Sequence, residues 1–221
     1  MFERTIKVVE TPGELKAYQE LIYQVYAEEL KWFEVDKYPD GRVEDEYDAQ
    51  SMHFLIIDKA SNEIMAGMRL IRSSPLTLPI FCKFGEKRLT PDFFLSHQCQ
   101  PAQGSEVEIS QVAALQKFRE RRLSFVIDTG KIFYHYCLRN SVNYMYFTVD
   151  LRVFLELHKH SLWVEPFGVP KFYFGSWVLP CLSSFREWCA KVEENNPLAF
   201  DYVVNPNNLV GSFKDENLQK G

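Results

Sequence analysis

Glu106 to Leu115, EVEISQVAAL, is the stretch on which the fold turns. Apolar and polar residues alternate along it, so it reads as a β-strand, with Glu108 and Ser110 on one face and Ile109 and Gln111 on the other. Downstream, a helical pattern from about Arg122 to Asn140 leads into an apolar strand at Tyr144 to Val149 and a further helix over about 151–161. Two short strands around Gly168-Val169-Pro170 and a helix at Ser183 to Glu194 follow, and the tail from Asn195 reads as polar and partly disordered. Upstream, Met52 to Asp58 and Glu63 to Arg72 flank the turn-forming Lys59-Ala60-Ser61-Asn62, which predicts an antiparallel hairpin. Further back, residues 5–10 make a first strand. Thr11-Pro12-Gly13-Glu14 then combines an N-cap, a proline at the first helical position and a glutamate three residues beyond the cap. A helix to about Leu30 follows, with Leu15, Tyr18, Leu21, Ile22, Val25 and Tyr26 forming its apolar stripe. Residues 73–105, carrying Pro75, Pro79, Pro91 and Pro101, read as a long covering loop with a helical turn at most.

The order is therefore β-α-β-β-(loop)-β-α-β-α-β(-β), expected as one α/β (α+β) domain over residues 1–194 with a C-terminal extension over 195–221. The chain has 221 residues, 46% hydrophobic and 25% charged, enough for one sizeable core. Its 25 basic and 30 acidic residues give a net charge of −5, which argues against non-specific nucleic-acid binding. No stretch has the apolar length of a membrane span or a signal peptide, so a cytoplasmic location without stable membrane insertion is expected. Cys82, Cys99, Cys137, Cys181 and Cys189 have no metal-ligand spacing; reduced, mostly buried thiols and no metal site are expected. Aromatic residues make up 15% of the chain, a surplus consistent with a roomy apolar cavity beside the core.

Between Lys31 and Asp48, Glu34, Asp36, Asp40, Glu44, Asp45, Glu46 and Asp48 outnumber Lys37 and Arg42. A self-repelling solvated loop is one reading. Trp32, Phe33 and Tyr38 are interleaved with these charges, and that aromatic surface supports a flap closing over a site.

The element order resembles the GNAT superfamily, which implies a three-layer α-β-α fold whose central mixed sheet splays apart to admit an acyl thioester. Tyr26, Trp32, Asp45 and Asp48 in VYAEELKW and EDEYDAQSMHFLI, then Ala66-Gly67-Met68-Arg69-Leu70 and Glu108-Ile109-Ser110, resemble the fingerprint of acyl-homoserine-lactone (autoinducer) synthases. YQVYAEEL with DEYD, and the later VEPFGVP and FGSWVLP, are similar to exosortase-associated N-acyl amino acid synthases. The similarity extends over about residues 18 to 180. Three positions depart from it. Ile22, Val43 and Gln111 stand where the resemblance implies an arginine, a glutamate and an arginine. Those arginines would hold S-adenosylmethionine and brace the acidic loop, so an amino-acid or other amine acceptor is favoured.

The resemblance implies transfer of a fatty acyl group from acyl carrier protein, or from acyl-CoA, to an amine, with no cofactor bound. Such transfer needs a base for the ammonium proton and donors for the tetrahedral oxyanion. Backbone N–H groups of Val112 and Ala113, left unpaired at the splay, are the expected oxyanion or pantetheine donors. Glu108, flanked by Val107 and Ile109, is the expected base with a pKa raised by burial; the alternative is an ion pair with Arg69. Ser110 is a candidate for hydrogen-bonding pantetheine, or is a plain strand serine. Asp45 and Asp48, with Trp32 beside them in the flap, would hold the acceptor ammonium, and Arg69 or Arg72 its carboxylate.

His158 stands near the place where GNAT enzymes keep a thiol-protonating tyrosine; a surface histidine is the alternative. Between Arg119 and Ser124 there is no glycine with which to cradle a pyrophosphate. Lys117, Arg119, Arg121 and Arg122 instead suit docking of an acidic carrier protein, or form a solvated basic patch. Two other functions stay open at this point: homoserine-lactone synthesis from S-adenosylmethionine, and a non-catalytic module that binds a carrier protein or a lipid.

Overall fold

The computed structural model describes residues 3–73, 76–84, 105–159, 164–173 and 175–212, with the backbone alone at 120–123. Among the described residues nine strands form one mixed sheet: β1 (Arg4–Val8), β2 (Ser51–Asp58), β3 (Ile64–Arg72), β4 (Glu106–Ala114), β5 (Tyr144–Asp150), β6 (Glu165–Pro166), β7 (Lys171–Tyr173), β8 (Ser176–Ser184) and β9 (Leu209–Val210). Their spatial order is β6-β8-β5-β4-β3-β2-β1-β9, with β7 paired to β8 beside this path.

The sheet opens at its centre. β4 and β5 run parallel and pair only from Glu106 opposite Tyr144 to Ile109 opposite Phe147. Beyond that point Ser110, Ala113 and Ala114 keep partners on β3, while Thr148 to Asp150 keep partners on β8. The two strands thus part toward their carboxyl ends, and the fork between them is the splay that the resemblance implied. A β-bulge accompanies it. Arg69 faces Ser110 and Gly67 faces Ala113, so Met68 alone opposes both Gln111 and Val112, with Gln111 in the left-handed region at φ 49°. An extra residue on one strand bends that strand and sharpens its twist, which carries β4 away from β5. It also corrects the expected alternation. Gln111 leaves the face of Ile109, and its Oε1 accepts a hydrogen bond from Tyr18 Oη at 3.1 Å on the face of Glu108.

Six helices among the described residues cover the sheet. On the Glu108 face lie α1 (Pro12–Tyr23), its π-helical continuation Gln24–Glu29, and α2 (Pro79–Phe84). The capping box holds as expected: Thr11 Oγ1 accepts from Glu14 N–H at 3.3 Å and Glu14 Oε2 from Thr11 N–H at 3.1 Å. Tyr18, Leu21, Ile22 and Val25 of this helix bury against Leu55 and Ala113. Against the opposite face pack α3 (Arg122–Asn140), α5 (Phe185–Asn195) and α6 (Pro197–Val204), and α4 (Leu151–Lys159) follows β5. Among the described residues no helix is long and apolar enough to cross a membrane.

The tail differs from expectation. Residues 197–204 form α6, and Leu209–Val210 extends the sheet as β9, parallel to β1. Ala199, Val203 and Leu209 carry the burial hidden in this asparagine-rich stretch. A polar network ties it to α3. Fully buried Asp128 takes Arg4 Nη1 at 2.8 Å and Tyr202 Oη at 2.6 Å, and Lys131 Nζ donates to Asn207 O and Asn208 Oδ1 at 3.2 and 3.1 Å. β8 is also longer than expected and absorbs Ser183 from the expected helix.

Gly67 lets α1 approach the sheet: a Cβ there would lie 2.9 Å from Leu21 Cδ2 and 3.1 Å from Phe54 O. Gly67→Ala is expected to destabilise the fold by about 1 to 3 kcal/mol in urea titration through this overpacking.

Candidate functional site

Cross-strand register sets two rows of side chains on the α1 face. His53, Arg69 and Ser110 form one; Ser51, Ile71, Glu108 and Tyr146 form the next. Glu108 therefore stands one residue before the last β4–β5 pair, at the apex of the fork. Ser110, half-buried, is the first residue past it.

Arg69, only 2% exposed, organises the acidic flap. Nη1 donates to Asp45 Oδ1 and Asp48 Oδ1, each at 2.7 Å, and Nη2 donates to Asp45 Oδ2 at 2.8 Å. Asp48 also accepts from His53 Nε2 and Gln19 Nε2, both at 3.0 Å. Burial alone would raise the Asp48 pKa; the His53 hydrogen bond, the Arg69 charge and the Gln19 amide outweigh it and hold the carboxyl at about 2. Two carboxylates thus share one guanidinium, an acidic excess suited to an ammonium. The same geometry corrects the reading of Arg69 as a direct carboxylate clamp, because a bidentate grip through Nη1 and Nη2 would require it to release both aspartates. Arg72 is exposed and its Nε donates to Gln50 O at 3.4 Å.

Glu108 is not paired with Arg69. Its Oε2 accepts from Ile80 N–H at 2.8 Å, and it is buried beside Ile71, Ile80, Tyr144 and Tyr146. Loss of hydration raises its pKa to about 7, against smaller opposing effects of the Ile80 amide and the Lys83 and Arg69 charges. Lys83, on the last turn of α2, is pushed below its usual range by burial despite the pull of Glu108 and Asp45. Its ammonium sits 5.4 Å from the Tyr173 ring centre, and burial followed by the Glu108 and Asp45 charges takes Tyr173 to about 12. Lys83, Tyr173, His53 and Gln19 were not legible as site residues, since α2 and β7 meet the flap only in three dimensions. The register of His53 with Arg69 was the available signal, once a β2–β3 hairpin is assumed.

The flap is anchored. Val43 is buried, and its N–H donates to Gln19 O at 3.3 Å. The Trp32 and Phe33 rings each lie 5.3 Å from Tyr26, and a Cβ on Gly175 would come within 3.1 Å of Trp32 Cδ1. Trp32 is thereby held between the first helix and the β7–β8 turn. The segment is solvated in part: Glu34, Asp36, Asp40, Glu44 and Glu46 are exposed, while Asp45 and Asp48 turn in to Arg69. Along the fork, Val112 is 38% exposed at the bulge and its carbonyl accepts from Tyr26 Oη at 3.2 Å. Ala113 lies buried opposite Gly67.

The basic segment after β4 is less open than expected. Lys117 pairs with Glu63 at 3.0 Å, and Arg119 pairs with Glu29. The side chains of Arg121 and Arg122 lie outside the described residues. His158 donates from Nε2 to Val164 O at 3.0 Å, so that nitrogen's proton is committed to the backbone.

Two outcomes follow from these environments. Arg69→Ala leaves two half-buried carboxylates without their shared cation and is expected to cost about 3 kcal/mol in urea unfolding. Glu108 binds a proton more readily folded than unfolded, so it subtracts stability as pH rises from 4.5 through about 7. Glu108→Gln should therefore match the wild type near pH 4 and exceed it at pH 8 by on the order of 3 kcal/mol. Parallel stability curves across that window would show that Glu108 is not held in an apolar site.

With this geometry in hand, comparison with known proteins identifies the frame. Residues 21–127 match the family model described as acetyltransferase (GNAT) domain. No curated protein matches the chain in sequence. Among solved structures, it is similar to the CoA-dependent acyl-homoserine lactone synthase BjaI, with 16% identity, 94% of this chain and 93% of that one covered, and a TM-score of 0.69. The acyl-homoserine lactone synthase LasI matches at 15% identity, 89% and 96% coverage and TM-score 0.63. FeeM, an N-acyl amino acid synthase from uncultured soil microbes, matches at 12% identity, 86% and 96% coverage and TM-score 0.59. At these identities the structural likeness speaks for the fold: the chain has a GNAT-like fold, and the family match over residues 21–127 supports an acyltransferase.

Proposed function

We propose that the protein is an N-acyltransferase moving a fatty acyl chain from a pantetheine thioester, borne by acyl carrier protein or coenzyme A, to the amino group of an amino acid or related amine. The observation that carries this reading is the β4–β5 fork with a proton-accepting carboxylate, Glu108, at its apex and the Asp45–Asp48 pair on the same face.

The pantetheine arm lies along the open edge of β4, near Val112 and Ser110, with its thioester carbonyl toward the fork. The acceptor enters as an ammonium against Asp45 and Asp48, under Trp32. Glu108, ionised above about 7, takes one ammonium proton. An α-ammonium loses its proton near pH 8 in water, so the transfer is close to balanced. The freed amine lone pair attacks the carbonyl carbon, the C–N bond forms, and charge gathers on oxygen, where backbone N–H donors of the fork stabilise it. The C–S bond then breaks. The attacking nitrogen gives up its second proton to solvent, and the thiolate takes the proton that Glu108 accepted, leaving an amide, a free thiol and one released proton. This cycle needs no histidine, in keeping with the bond between His158 and Val164.

Ile22 and Val43 support an acceptor other than S-adenosylmethionine. Both are buried in one apolar cluster, and Gln111 is satisfied by Tyr18, so no cation stands at those positions.

Purified protein incubated with acyl carrier thioesters and pooled amino acids should release thiol and form an N-acyl product detectable by mass spectrometry. Glu108→Gln is expected to lower kcat by about 10²- to 10⁴-fold while leaving donor binding in place. In the wild type, log kcat should rise with pH and level off above about 7. No thiol release with any acceptor amine would favour a non-catalytic, lipid- or carrier-binding module, and an unchanged rate in the variant would remove Glu108 from the mechanism.

A further inference from the structure

Glu29 ends the π-helical turn of the first helix, and its carboxylate reaches the turn that follows β4. Its Oε2 and Oε1 accept from Gln116 N–H at 3.0 and 3.3 Å, and Arg119 Nη2 donates to Oε2. Arg119 is fixed from behind, its Nε donating to Ala114 O at 2.8 Å. The carboxylate is 14% exposed and the guanidinium 25%, so the group sits against the fold rather than in bulk water. A backbone N–H beside a guanidinium is a donor set that a phosphoryl oxygen would take. Here an internal anion already holds it. The neighbouring cation Lys117 is likewise engaged, by Glu63.

The position gives this contact its meaning. β4 and β5 part toward their carboxyl ends, and Gln116 lies just past the end of β4, where the fork is widest. Ligands of open α/β sheets occupy the crevice outside the carboxyl ends of parting strands. A thioester whose acyl end lies deep in the fork therefore brings the far end of its pantetheine arm to this turn. In coenzyme A that end carries a diphosphate and a further phosphate on the ribose. In a carrier-borne arm it carries a single phosphodiester to a protein serine.

We propose that Glu29 selects the acyl donor, its carboxylate occupying the donor pair at the fork mouth so that a nucleotide thioester is repelled and a carrier-borne pantetheine thioester is accepted. This rests on the acyl-transfer reading above and names the donor class within it. Repulsion comes from the Glu29 charge; lost attraction comes from Gln116 N–H and Arg119, which are no longer available to phosphate.

Calorimetric titration of the full chain with coenzyme A and with pantetheine tests the proposal without turnover. The wild type should bind coenzyme A no more tightly than pantetheine at low salt. Glu29→Gln, and Glu29→Ala as a second variant, should tighten coenzyme A by about tenfold or more, with little change for pantetheine, since one recovered charge-assisted contact is worth that ratio. Adding Arg119→Ala should remove the gain. Wild-type protein that prefers coenzyme A, or variants that bind it as weakly as the wild type, would overturn the assignment of Glu29. Absence of turnover with every thioester would instead count against acyl transfer itself, leaving the binding comparison to judge Glu29 separately.

Discussion

One mismatch in strand pairing sets up the rest of the molecule: β4 follows β5 for Glu106 to Ile109 and then leaves it. The cause is local. A bulge at Gln111 and Val112 gives β4 one residue more than β3 can match, and the added twist swings the strand's carboxyl half outward. Backbone groups along that half are then available to something other than a neighbouring strand. Backbone groups at such an opening need a partner, either water or a ligand, because each strand amide and carbonyl seeks a hydrogen bond. An extended ligand bearing its own amides, such as pantetheine, suits it.

Charge is distributed around the fork by contrast. Asp48 is held anionic by the His53 hydrogen bond, the Arg69 charge and the Gln19 amide, while Asp45 is gripped by both Arg69 Nη atoms. Glu108, in the adjacent row, receives one backbone N–H and an apolar surround, and so stays near neutrality. Carboxylates close in space but pushed in opposite directions can divide the work of holding a cation and moving a proton. At the other end of the fork, Glu29 neutralises Arg119, so the mouth of the crevice differs in character from its apex.

Much of this was legible in the sequence where the cause is local. The Thr11-Pro12-Gly13-Glu14 cap, the 59–62 turn and the inward face of Glu108 in EVEISQVAAL depend on near neighbours or on strand period, and the structure has all three, with Glu108 buried outright where half-burial was expected. Gln111 was misplaced because alternation assumes that each strand residue faces one partner, and the bulge breaks that rule. The tail misled through its asparagines and prolines, which hide the spacing of Ala199, Val203 and Leu209. Partner choice was the least readable layer. Arg69 could have met Glu108 or the flap aspartates, and Arg119 could have faced solvent; only the path of a chain that brings Glu29 and Arg119 together across 90 residues decides it.

Ile22 and Val43 show how the site departs from the pattern that the resemblance implies while keeping the fold. Two positions where the resemblance implies opposite charges are both apolar and buried in one cluster, an exchange that a fold tolerates when both partners change together. The claim on which the account stands is that the parted strands receive a pantetheine thioester. Hydrogen exchange of backbone amides, with and without a non-hydrolysable acyl-pantetheine analogue, tests it most directly. Slowed exchange concentrated at Val112 to Ala114 and at the carboxyl end of β5 is the predicted result. Unchanged exchange along both strands, with protection elsewhere in the chain, would contradict it.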